Sequence, residues 1–150
     1  MYQQGKRLRR GRFSETGRPY LITTVTHCRA PIFCSFDITR LLIREMRTTC
    51  EQLAIEMLAW VVMHDHLHWM FVLNRSAVSE VVRYVKGTSA HSINIYRGYT
   101  GQVWQKGFHD HAIRKEEDIR AVARYIIANP LRAGLVENIG DYPFWDAVWL

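Results

Sequence analysis

The chain has 150 residues, enough for one domain of ordinary size. With 48% hydrophobic residues and 23% charged residues it can build a core without a disulfide or structural metal, and it does not read as disordered. Twenty Lys plus Arg against fourteen Asp plus Glu give +6, a balance that favours polyanionic partners. Three cysteines, Cys28, Cys34 and Cys50, form no CxxC pair and suggest free thiols in a reducing compartment. The first residues carry charge but no apolar stretch of the secretory kind, and no apolar run is long enough to span a bilayer.

Residues 1–18 are basic and without periodicity, and are expected to form an arm ahead of a single domain over 19–150. Its Arg7, Arg9, Arg10 and Arg12 are candidates for phosphate contacts, since guanidinium groups pair with phosphates bidentately. Tyr20–His27 is rich in β-formers and predicts a first strand; the spacing of Ile38, Leu41, Leu42 and Met46 predicts a helix over Asp37–Leu53. Ile55–Met63 and His66–Leu73 predict two strands joined by a tight His64-Asp65 connection, hence antiparallel. A second helix is expected over Ser79–Arg97, burying Val81, Val82, Val85, Ile93 and Ile95. A short fourth strand is expected over His111–Arg114, then a third helix over Glu116–Asn129 that ends at Asn129-Pro130. The order β-α-β-β-α-β plus a helix predicts an α+β, ferredoxin-like (split βαβ) antiparallel sheet with helices on one face and the other face available for a site.

Two segments carry chemistry. On a strand, alternate side chains share a face, so His66 and His68 project together, and a pair of imidazoles so placed can share a metal ion. His64 belongs in the turn, as a second-layer group near such a metal. On the third helix Ile119, Val122, Ala123 and Ile126 form the apolar stripe, while Tyr125 and Asn129, four apart, stack at its edge. A tyrosine there can anchor its ring and keep its hydroxyl free. A cation held by His66 and His68, with Asn129 as an oxygen ligand, could stabilise charge on a phosphodiester while Tyr125 attacks it. Mg²⁺ or Mn²⁺ suits that role.

These segments resemble a known family. His66-Leu67-His68 is similar to the His-hydrophobic-His (HUH) motif of single-tyrosine transposases. RYIIANPLRAGLV at Arg124–Val136 resembles the tyrosine helix of the REP-associated tyrosine transposases, as do Arg9–Thr26, WQKGFHDHAIR and YPFWDAVW, so that the resemblance covers essentially the whole chain. It implies a ferredoxin-like fold and a bacterial, cytoplasmic, nucleoid-associated DNA endonuclease. Such an enzyme nicks and rejoins single-stranded DNA at REP hairpins through a 5′-phosphotyrosine. The same resemblance puts His66 and His68 at the metal, Tyr125 at the nucleophile position and Asn129 at the amide position. His64 stands where relatives usually carry proline, and the chain ends soon after WDAVW, so a long C-terminal regulatory tail is not expected. Lys86, Arg97, Lys106 and Arg132 are further candidates for DNA phosphates, and Trp104 and Phe108 for stacking on bases or, equally, for the core. A monomer is the expected state, with a dimer as the alternative. The competing readings are a domesticated hairpin-binding protein without catalysis and a metal-dependent RNA nuclease.

Overall fold

The structure is a computed structural model and describes residues 17–114 and 116–149. Five strands form one sheet: β1 (Pro19–Val25), β2 (Glu56–Val62), β3 (His66–Val72), β4 (His109–Ala112) and β5 (Trp145–Ala147). Their spatial order is β4-β1-β3-β2-β5, and every neighbouring pair is antiparallel. The first four give the expected split βαβ order. β5, from the aromatic C-terminal run, adds a fifth strand on the β2 edge, beyond the four that the sequence pattern predicts. β4 begins at His109 rather than His111, which brings both of its histidines into pairing with β1.

Helices α1 (Phe36–Leu53) and α2 (Val78–Arg97) cover one face. The Ser35 hydroxyl caps α1 by accepting from the Ile38 backbone N–H at 3.2 Å. Gly98, at φ 62, ends α2 in the left-handed turn that glycine adopts without steric cost. Ile38, Leu42 and Met46 from α1 and Val81, Val85 and Ile93 from α2 close over Ile22, Trp60, Leu67, Trp69 and Phe71. Ile95, expected in the core, is exposed, because two residues past Ile93 a helix has turned most of the way to its opposite side.

The other face carries α3 (Glu116–Ile127). Ala123, Ile126 and Ile127 pack there against Leu21, Val61 and Met70. A bulge between Met57 and Ala59 turns both Leu58 and Ala59 toward this second core. Beyond Ala128 the chain does not leave the helical path at proline. It resumes as a short helix, α4 (Asn129–Arg132), with Pro130 in its first turn, where a missing N–H costs nothing.

Candidate active site

Antiparallel register decides which side chains meet. Thr23, His68 and Val61 are directly opposite one another on β1, β3 and β2, and His109 on β4 is opposite Thr23. Directly paired residues share a face, so His109, Thr23, His68 and Val61 make one row across the sheet. His66, two residues before His68, projects from the same face beside Val25. The face they share is the one that α3 covers, since Met70 of the same alternation lies in the core with Ile126.

The two imidazoles are close, with ring centroids 4.9 Å apart and planes nearly perpendicular. Each has its Nδ1 engaged. His68 Nδ1 lies 2.7 Å from Thr23 Oγ1, and His66 Nδ1 lies 2.7 Å from Asp65 Oδ1. Asp65 in turn accepts from Arg29 Nε at 3.0 Å through its other oxygen. With Nδ1 engaged in both rings, Nε2 is the remaining ring nitrogen of each. Burial above all, then the positive charges that His66 and Arg132 bring, push His68 down to about 3, so it is a neutral ring with a lone pair at physiological pH. Partial burial raises Asp65, but the His66 hydrogen bond and the charges of His66 and Arg29 outweigh it and hold the carboxyl below its ordinary range.

Among the described residues no group of three or more His, Cys, Asp or Glu side chains is placed to hold a metal ion. The pair would therefore need oxygen ligands from another residue type, from water or from a substrate, an incomplete donor set that suits a cation used in catalysis rather than in folding. Asn129, singled out from the sequence, carries an amide oxygen. Its Nδ2 donates to the Ile126 carbonyl at 2.9 Å, which leaves Oδ1 as the atom it can offer.

Tyr125 is 60% exposed on α3, next to the buried Ile126 that fastens the helix to the sheet. The Arg132 guanidinium lies over its ring at 3.9 Å. Because α4 continues the helical path past Ala128, Arg132 falls two turns after Tyr125 and reaches back over it, and the same charge is felt at His68.

The profile of the family described as "Transposase IS200 like" matches residues 17–129. The chain belongs to the IS200-like transposase family. It is 33% identical over 91 residues to the REP-associated tyrosine transposase of Escherichia coli K12, an alignment that covers 59% of this chain and 52% of that protein. The chain thus spans about half the length of that curated relative. A solved structure described as the REP-associated tyrosine transposase bound to a REP hairpin superposes with a TM-score of 0.78 at 26% identity, over 89% of this chain and 79% of its own. The α+β sheet with its helices matches that transposase structure.

In this member of the IS200-like family, the other residues singled out from the sequence are scattered. His64 falls in the turn between β2 and β3, half-buried, its carbonyl accepting from the Phe33 N–H at 3.0 Å. Trp104 and Phe108 are core residues: Trp104 donates its Nε1–H to Ser89 Oγ at 3.0 Å and packs on Phe33, which removes both from the surface a base could reach. Lys86 Nζ donates to the carbonyls of Gln105 and Gly107, so it holds the loop before β4. Arg97 stacks on Tyr99 at the end of α2, and Lys106 is exposed on the loop. Arg7, Arg9, Arg10 and Arg12 lie outside the described residues. Thr23, Asp65, Arg29 and His109 were missed. Only register reveals the first and last, although Asp65 next to the His-x-His pair was a visible signal. No helix of the described residues is long and apolar enough to cross a membrane.

Proposed function

We propose that this chain is a REP-associated, single-tyrosine transposase that binds hairpin DNA and cleaves and rejoins an adjacent single strand through Tyr125. The observation that carries the reading is that His66 and His68 project from the face of the sheet that the tyrosine helix α3 covers. The relative solved with a REP hairpin supports the choice of substrate.

In the proposed reaction His66 and His68 offer Nε2, and Asn129 offers Oδ1, to Mg²⁺ or Mn²⁺. When bound, such a cation supplies charge stabilisation to a phosphodiester oxygen and favours the tyrosinate. Ile126 holds α3 on the sheet and Arg132 orients the phenol. The Tyr125 oxygen attacks phosphorus, the bond to the 3′ oxygen breaks, and that oxygen takes a proton and leaves as a 3′-hydroxyl. The strand's 5′ phosphate stays on Tyr125. A 3′-hydroxyl attacking the same phosphorus reverses the step, so joining needs no nucleotide cofactor. The basic arm with Arg7, Arg9, Arg10 and Arg12 is proposed to contact hairpin phosphates.

The test is incubation with a labelled hairpin oligonucleotide bearing a single-stranded flank, with Mn²⁺ or Mg²⁺. A denaturation-resistant protein–DNA band, lost on chelation and in Tyr125→Phe, is the expected result. Cleavage with two free ends would instead place the chain among hydrolytic nucleases. Hairpin binding without any cleavage would make it a binding protein.

A further inference from the structure

We propose that Asp65 and Arg29 form a positioning pair that fixes the ring and the tautomer of His66. The proposal rests on the reading of His66 as a metal ligand given above.

A carboxylate can only accept. The 2.7 Å contact between Asp65 Oδ1 and His66 Nδ1 therefore calls for a ring proton on Nδ1, and whenever the imidazole is neutral that leaves the lone pair on Nε2, the atom a cation would need. Arg29 Nε donates to the second carboxylate oxygen at 3.0 Å. Both oxygens are committed, so the carboxylate cannot swing without losing a charged hydrogen bond.

Arg29 reaches Asp65 from a backbone conformation that chains seldom adopt. Cys28 and Arg29 follow one another at φ 54 and φ 51, in the left-handed region where side-chain-bearing residues are uncommon. Two in succession persist only where the surroundings fix them. Here the surroundings are Thr26, which is fully buried. Its N–H donates to the Asp65 carbonyl at 2.9 Å, and its hydroxyl is within hydrogen-bond distance of that carbonyl and of Ala30 O. The turn is thereby clamped onto the residue that precedes His66.

A structural staple between these loops would already be complete with Thr26. The Arg29 and Asp65 side chains are 62% and 24% exposed, where an ion pair contributes little to stability. What the pair does accomplish is to hold His66, and an otherwise costly backbone is kept at the place where that holding happens.

Two measurements on the purified chain test this without turnover. Nitrogen-15 NMR of the histidine rings in metal-free protein should show His66 as the Nδ1–H tautomer. Asp65→Ala should give a mixture of tautomers, Asp65→Asn should restore most of the native form because its amide oxygen still accepts, and Arg29→Met should fall between. Mn²⁺ titration followed by electron paramagnetic resonance should show about a 10- to 100-fold loss of affinity in Asp65→Ala and a smaller loss in Asp65→Asn. Circular dichroism should be unchanged in all three variants; if Asp65→Ala does not fold, the exposed Arg29→Met carries the comparison. Native tautomer and native Mn²⁺ affinity in Asp65→Ala and Arg29→Met would overturn the positioning role and leave the proposed function standing. Wild-type protein that holds the Nδ1–H tautomer but takes up no Mn²⁺ would overturn the metal reading, while still supporting the control of the ring by Asp65.

Discussion

Thr23 and His68 face each other across β1 and β3, with the threonine hydroxyl 2.7 Å from the imidazole Nδ1. For Nε2 to act as a ligand, Nδ1 must carry the proton and donate it to Thr23. Thr23→Val keeps the shape and removes the hydroxyl that Nδ1 contacts, so that buried hydrogen bond is lost. The expected cost is about 1–3 kcal/mol of stability together with about a 10- to 100-fold loss of Mn²⁺ affinity. Thr23→Ser should recover both. Denaturant unfolding and Mn²⁺ titration read the two effects separately, and a variant with full stability and full affinity would show that His68 orients itself.

Arg132 over Tyr125 makes a second prediction. The ring is exposed, and the guanidinium 3.9 Å above it restricts the phenol and brings positive charge to the proposed nucleophile. An exposed contact of this kind is worth only about 0.5–1 kcal/mol, so Arg132→Ala should leave the melting temperature nearly unchanged. Adduct formation on the hairpin substrate should slow by about a hundredfold, the scale of a reacting group displaced by roughly an ångström. Arg132→Lys should recover part of the rate. A full rate in Arg132→Ala would leave the arginine as a surface contact only.

How far the sequence was legible follows from the range of the interactions. Alternation on a strand is local, and it placed His66 and His68 on one face correctly. The helical stripe is local too, and it put Tyr125 at the edge of the face that Ile126 buries. Thr23 lies 45 residues from His68, and nothing in its neighbourhood marks it; only the register of β1 on β3 does. β5 was missed because a three-residue strand has too short a pattern to recognise, and it pairs only because the β2 edge is open to it. Asn129-Pro130 reads as a helix end, so the contact of Arg132 with Tyr125 is not legible in the sequence. The chain instead keeps its helical course through α4 and carries the guanidinium back over Tyr125.

Tyr142 gives the pH dependence. Its hydroxyl donates to the Val62 carbonyl at the end of β2, and burial first, with Cys34 beside it second, pushes the phenol up to about 12. The fold thus favours the neutral phenol relative to the unfolded chain, where its pKa is about 10. The contribution is whole below pH about 10 and is lost as the pH rises from there through 12. Thermal midpoints should fall over that window, and Tyr142→Phe should start lower, by about 1–2 kcal/mol from the lost hydrogen bond, with a flatter alkaline limb. An identical alkaline slope in the variant would assign the loss to other groups.

Ile126 tests whether the seating of α3 matters to chemistry as well as to stability. It is fully buried against the sheet face that carries the histidines and is the residue next to Tyr125. Ile126→Val should cost about 0.5–1.5 kcal/mol and Ile126→Ala about 2–5 kcal/mol. If the helix only needs to be present, adduct yield at a temperature where both variants are folded should equal that of the parent. If its seating sets the distance from the phenol to the histidine pair, the Ala variant should lose rate well beyond its unfolded fraction, because the cavity lets α3 shift while Tyr125 itself is intact. The second outcome is expected. Adduct kinetics measured alongside the fraction folded would decide between them.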